Sequence, residues 1–170
     1  VVYYFAAAGI VFVGDTLFSM GCGRLFKGTP EQMWHSLQKL LALPDETLVY
    51  CAHEYTQSNA RFALTLEPHN PALVERAARV AKLRAANLPT VPTTIGLERQ
   101  TNPFLRPDSA ELRATLGMLN ADNIAVFAET RRRIGDRNGR DVARPWGFES
   151  CRGEVHQPVV RCPTGQPSGG

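Results

Sequence analysis

The apolar run "IVFV", residues 10–13, stops abruptly at Gly14 and Asp15 and gives way to the small-residue loop "TLFSMGCGRLFKGTP". A surface turn does not need that cast, whereas a carboxylate held at the end of a buried strand does. The next segment, "TPEQMWHSLQKLLAL", carries strong helix signals. Thr29 is a good N-cap, Pro30 suits the first helical position, and Gln32 completes a capping-box pattern. Met33, Leu37, Leu40 and Leu41 fall on one face, and Pro44 ends the run. "TLVYC" is then a second short buried strand that stops just before "AHEYT". A helix Pro30–Leu43 between two such strands brings them side by side. Upstream, "VVYYF" and "IVFV" read as a hairpin-like strand pair around "AAAG".

Beyond residue 55 the character changes. "QSNARFALTL", "NPALVERAARVAKLRAAN", "DSAELRATLG" and "ADNIAVFAETRRR" read as helices, with Asn70-Pro71 and Asp108 with Glu111 marking two starts. "LPTVPTTIG" and "TNPFLRP" read as Pro-rich connectors. Strands with one helix, followed by a helical cluster, make a mixed α/β piece followed by a small all-α module. From residue 134 to 170 the chain holds seven Gly and four Pro without periodicity, which predicts a poorly ordered tail.

The 170 residues suffice for one ordinary domain, and 44% hydrophobic with 21% charged residues is a globular composition. A net charge of +3 is too small to argue for nucleic acid, and no stretch is apolar enough to span a bilayer. The first residues make a poor signal peptide, and starting inside a strand suggests that residues are missing upstream. Cys22, Cys51, Cys151 and Cys162 form no C-x-x-C pair, so the default setting is a reducing cytoplasm.

Asp15 and His53 stand at the ends of the two predicted strands, where open α/β folds place their chemistry. A carboxylate can bridge two metal ions and an imidazole can supply one nitrogen. The same residues also suit a turn cap and an ordinary loop histidine. His35, His69 and His156 offer no obvious third ligand. Arg24 and Lys27 suit an anionic substrate or a solvated loop face, and Tyr55 suits a ligand hydroxyl contact or packing. Arg131, Arg132 and Arg133 close the last helix, where cations oppose the helix dipole favourably. Cys151, His156 and Cys162 match no standard metal-finger spacing.

The stretch from "FVGDTLFSMGCGRLFKGTPEQMW" through "TLVYCAHEYTQSNARFALTLEP" closely resembles the later part of the hydroxyacylglutathione hydrolase, or glyoxalase II, family. "PTVPTTIGLERQTNPFLR" resembles the entry into that family's helical domain. The resemblance covers residues 1–133 and implies an α/β fold: the second half of a metallo-β-lactamase-like αββα sandwich, then a small all-α domain. It implies three segments. Residues 1–66 belong to the sandwich, residues 67–133 form the helical glutathione-binding domain, and residues 134–170 are a tail unlike the family. It implies hydrolysis of S-D-lactoylglutathione to glutathione and D-lactate at two divalent metal ions, with zinc, iron and manganese all compatible. It implies a glutathione thioester as the binding partner, no nucleic acid, no membrane, a monomer and a cytoplasmic setting. By the same resemblance Asp15 bridges the metals and His53 ligates one of them. Gly21 and Gly23 let the following loop approach the ligand. Arg24, Phe26, His53, Tyr55 and Arg131 contact the substrate.

The sequence also departs from the family. The H-x-H-x-D-H motif and a further metal-binding histidine are not in it, Ala52 replaces a Gly and Phe26 replaces a Tyr found in some members. After Arg133 the family expects Lys and an early end, whereas Ile134 begins an unrelated segment. An upstream truncation and a downstream frameshift or read-through would explain both ends. The chain alone is therefore expected to be inactive. The rival readings are a metal-free binding or complementation fragment, a pseudogene product, and another glutathione-linked member such as a persulfide dioxygenase. The helical domain argues against the last.

Overall fold

The computed structural model describes the backbone of residues 1–142 and the side chains through residue 135. The chain runs β1 (Tyr3–Phe5), a 3₁₀ turn (Ala6–Ala8), β2 (Ile10–Gly14), β3 (Leu17–Phe18), β4 (Gly21–Cys22), α1 (Pro30–Leu41) and β5 (Leu48–Cys51). It continues with α2 (Thr56–Leu66), α3 (Pro71–Ala85), β6 (Thr93–Thr94), α4 (Ile95–Thr101), a 3₁₀ turn (Pro103–Leu105), α5 (Ala110–Leu116) and α6 (Asn123–Val142). The mixed α/β architecture with a sheet followed by helices is the one expected.

One sheet has the order β1-β2-β5-β6. β1 and β2 pair antiparallel as the expected hairpin, and β2 and β5 lie parallel with Val11 opposite Val49 and Phe12 opposite Tyr50. Parallel neighbours need a crossover, and α1 provides it. Its capping box forms as read: Thr29 Oγ1 accepts from the Gln32 N–H at 3.3 Å, and Gln32 Oε1 accepts from the Thr29 N–H at 3.0 Å. The helix ends at Leu41, two residues before the expected limit.

Side chains alternate across the sheet. Val11, Val13 and Val49 are fully buried and share a core with Trp34, Leu37 and Leu40 of α1. Trp34, missing from the predicted apolar stripe, starts a line of rings. It lies 5.9 Å from Phe127 of α6, which touches Phe104 at 6.3 Å, which stacks on Phe62 of α2 at 6.0 Å. The opposite sheet face is open. Tyr3, Phe5 and Phe12 are about half exposed, and Phe12 lies 5.2 Å from Tyr50 and 6.0 Å from Phe5.

The helical part is fastened to the strands by a buried ion pair. Arg76 of α3 is 3% exposed and Glu98 of α4 is 0% exposed, with nitrogen and oxygen 2.5 Å apart. Arg76 also donates to Ser19 Oγ at 2.9 Å, Thr93 Oγ1 at 2.8 Å and Thr101 Oγ1 at 2.5 Å. Glu98 accepts from the Met20 N–H at 2.9 Å and from Asn102 Nδ2 at 2.8 Å. A second buried carboxylate, Glu67, is held by Arg106 at 3.1 Å and by Ser109 Oγ at 2.5 Å.

Several expectations need correction. "LPTVPTTIG" is not only a connector: it forms β6 against β5 and starts α4, because Thr94 Oγ1 caps the Leu97 N–H at 3.2 Å. The α5 cap is Ser109, whose Oγ accepts from the Leu112 N–H, rather than Asp108. Helix α6 does not stop at Arg133. α6 continues to Val142, and Ile134, read as the start of the tail, is 7% exposed and packs in the core. The tripeptide Arg131 to Arg133 is therefore inside the helix, not at its end. Arg133 serves a different helix, donating to the carbonyls of Thr115 and Leu116 at the end of α5. The remainder of the tail, with Cys151, His156 and Cys162, lies outside the described residues.

Removing one member of a buried ion pair strands the other charge, at a cost of about 3–5 kcal/mol. Arg76→Met is expected to lower unfolding stability by about that amount in urea titration. Adding Glu98→Gln to the same chain removes the stranded charge yet keeps an acceptor for the Met20 N–H, and should recover part of the loss.

Candidate functional site

Asp15 follows β2 directly and His53 lies two residues past the end of β5. Because those strands are parallel neighbours, both side chains emerge at one rim. The pairing of β2 and β5 shifts register between Phe12 and Gly14, and the Ala52 N–H bonds the Gly14 carbonyl at 3.2 Å. His53 Nε2 lies 3.4 Å from Asp15 Oδ1, with the side chains 49% and 67% exposed. The carboxylate and imidazole thus face solvent together, free to take a further partner.

Aromatic rings set the His53 plane. Tyr55 stacks on it at 5.0 Å with 19° between planes, and Phe18 lies edge-on to Tyr55 at 5.3 Å and 6.0 Å from His53. Such pairs contribute about 0.5–1.5 kcal/mol beyond their area. Glu54, between the two ring residues, accepts from the Thr90 N–H at 2.8 Å and from the Thr90 hydroxyl. That clamp ties the rim segment to the loop that follows α3, and nothing in the local sequence around Glu54 announced it.

The glycines after Asp15 have a packing reason. A Cβ on Gly23 would sit 1.9 Å from the Asp15 carbonyl oxygen, and one on Gly21 would sit 2.5 Å from Asn59 Nδ2. The close contacts of these two glycines in the structure are with the Asp15 backbone and with Asn59 of α2. The chain leaves this contact at Arg24, which is exposed.

Arg24 and Arg131 line one shallow groove with Leu25, Ala128, Arg132 and Gly135. Burial lowers the pKa of the Arg131 guanidinium; the nearby Cys22 thiol opposes this, and the Arg24 charge lowers it further. Two cations held this close favour an anion between them. Phe26, also among the expected contacts, is 86% exposed. On the same helix Glu129 bonds Arg132 at 2.8 Å and Arg133 at 2.9 Å.

An Asp oxygen and a His nitrogen are donors that zinc, iron and manganese all accept. Among the described residues no third His, Cys, Asp or Glu joins them in a metal-holding group. The pair therefore fits part of a coordination shell, not the three or four protein ligands zinc usually takes. No helix of the described residues is long and apolar enough to cross a membrane.

Comparison with known proteins agrees with this layout. Residues 1–53 match the family model described as metallo-beta-lactamase superfamily, and residues 54–134 match that of the hydroxyacylglutathione hydrolase C-terminus. The chain is 61% identical over 133 residues to a hydroxyacylglutathione hydrolase of Maricaulis maris, covering 78% of this chain and 52% of that protein. Relatives of the same name from Brucella ovis and Brucella anthropi are 60% and 61% identical over 131 residues. These matches cover 77% of this chain, and 51% and 50% of the respective relatives. The chain spans about half the length of the curated relatives it matches.

Two titrations test the surroundings of the groove. Burial pushes the Cys22 thiol up to about 12, so little thiolate exists at pH 8. Cys22 should escape iodoacetamide in the native chain and react once the chain is denatured, as read by peptide mass mapping. Hydrogen bonds from Arg132 and Arg133 hold the Glu129 carboxyl near 2, against 4.5 for a free one. A depressed folded pKa stabilises above the unfolded value, and that share is lost as pH falls from about 4.5 toward 2. The Tm difference between wild type and Glu129→Gln should therefore shrink as pH falls from 5 to 2. With a half sheet carrying Asp15 and His53, a helical module behind it, and both family models on the matching segments, residues 1–134 belong to the hydroxyacylglutathione hydrolase family of the metallo-β-lactamase superfamily, over its C-terminal portion.

Proposed function

We propose that this chain supplies the second half of a hydroxyacylglutathione thioester hydrolase that converts S-D-lactoylglutathione to glutathione and D-lactate. The observation that carries the reading is the convergence of Asp15 and His53 at one sheet rim, 3.4 Å apart and open to solvent. Asp15 and His53 would hold divalent metal, zinc, iron or manganese, together with donors from outside the described residues. A divalent metal, when bound, supplies Lewis acidity toward the thioester carbonyl. On this reading Asp15 would serve as a metal-holding carboxylate rather than a turn cap.

The protein's own groups account for binding and orientation. Arg24 and Arg131 offer guanidinium forks suited to a carboxylate of the glutathione portion. Tyr55, stacked on His53, presents its hydroxyl beside the rim. Phe26, without a phenolic hydroxyl, offers an exposed ring for apolar contact only. The free thiols of Cys22 and Cys51 suit a reducing cytoplasm, where we place the reaction.

A second reading, a metal-free fragment that docks another chain, draws on the open sheet face of Tyr3, Phe5 and Phe12. Thioester hydrolysis separates the two. The 170-residue chain alone should hydrolyse S-D-lactoylglutathione no faster than background and should not retain two equivalents of metal after dialysis. Co-expression with the N-terminal half of the Maricaulis maris relative should restore chelator-sensitive turnover. In that pair Asp15→Ala should abolish turnover, and Arg131→Ala should raise KM about tenfold, the loss of one charge-assisted contact. Reassembly without turnover would favour the docking fragment. Turnover by the chain alone, lost with chelator, would show that this half builds a complete site.

A further inference from the structure

The turn joining β3 to β4 is buried, and its polar groups are bonded by side chains from the helical part of the chain. Asn102 Nδ2 donates to the carbonyls of Phe18 at 3.3 Å and Gly21 at 3.0 Å. Asn59 Nδ2 donates to the Ser19 carbonyl at 2.9 Å, and Arg76 donates to Ser19 Oγ. Glu98 Oε2 accepts from the Met20 N–H at 2.9 Å. Met20 has a φ of 59°, a left-handed conformation that a side chain rarely adopts without support. Five polar groups of one turn thus take four partners from α2, α3, α4 and the residue after α4.

The same turn sets Phe18. Its backbone carbonyl is in the Asn102 grip, and its ring, 8% exposed, is the surface on which Tyr55 and His53 lean. Tyr55 and His53 are exposed residues of a loop: Asp15 meets the His53 edge and Thr90 holds Glu54 between them, while Phe18 is the buried ring that both of them face. We infer that Asn102 and Glu98 are positioning residues for the rim: they lock the β3–β4 turn, the turn locks Phe18, and Phe18 fixes the His53–Tyr55 stack. The helical module therefore orients a candidate metal ligand that lies in the strand half. As a functional role this rests on the metal-rim reading above; as a statement about ring geometry it does not.

The test reads the geometry directly in the 170-residue chain by NMR, with no metal or substrate added. Asn102→Asp keeps the oxygen that accepts from the Phe104 N–H at 3.0 Å and removes the amide that holds Phe18 and Gly21. It should abolish the Phe18–Tyr55 and Tyr55–His53 ring NOEs and move the His53 ring signals. Phe18→Leu, which leaves every hydrogen bond of the turn in place, should do the same to the His53 and Tyr55 signals while preserving the Met20 amide shift. It carries the test if Asn102→Asp does not fold. Ile134→Val, which touches no hydrogen bond of the turn and no ring of the rim, should lower Tm yet leave those ring signals where they were. A His53–Tyr55 signature unchanged in Phe18→Leu, or shifted as much in Ile134→Val, would overturn the inference. Because no metal enters, a positive result with an inactive reassembled enzyme would sink the hydrolase reading alone.

Discussion

The pairing of Arg76 with Glu98 is the interaction on which the rest of the molecule depends. Two charges with essentially no exposure meet where α3, α4, β6 and the β3–β4 turn converge. Such a pair is stable only when its remaining donors and acceptors are also met. Here Ser19, Met20, Thr93, Thr101 and Asn102 meet them, and they come from distant parts of the chain. Strand half and helical half therefore share one polar core, so the hairpin after Asp15 cannot be placed without the helices. An apolar contact of the same area would tolerate sliding, whereas directional bonds of this kind fix one register.

The apolar core plays the complementary part. The ring line from Trp34 through Phe127 and Phe104 to Phe62 crosses from α1 to α2 beneath the sheet. It adds non-directional stabilisation and brings α6 against α1, which carries Arg131 to the neighbourhood of Arg24. Rim and groove are thus positioned by different physics: hydrogen bonds for the first, ring packing for the second.

Much of this was legible in the residues. The Thr29, Pro30 and Gln32 cap is local, so the chain states it directly, and the same holds for the two strands that end just before Asp15 and His53. Residue-level signals failed where long-range pairing decides. Thr93 and Thr94 read as linker between prolines, yet β5 recruits them as an edge strand. Arg76 lies between Leu73 and Val80 on the buried side of α3, an apolar phase for a charge, and only its partner on another helix explains it. Ile134 looked like the start of a composition-biased tail because the composition of the whole segment outweighed one residue that continues the buried side of α6. Phe18 and Asn102 carry no local signal, because their importance lies in contacts that join distant positions.

The open face of the sheet has a practical bearing on handling the chain. Among the described residues β1 is an edge strand with one unpaired side, and Tyr3, Phe5 and Phe12 form an aromatic strip beside it. An unpaired backbone edge beside exposed rings is a template on which another strand can grow. A net charge of +3 spread over 170 residues gives little electrostatic repulsion to oppose that growth. A charge placed at Tyr3 would interrupt that strip and oppose strand-on-strand growth without touching the rim.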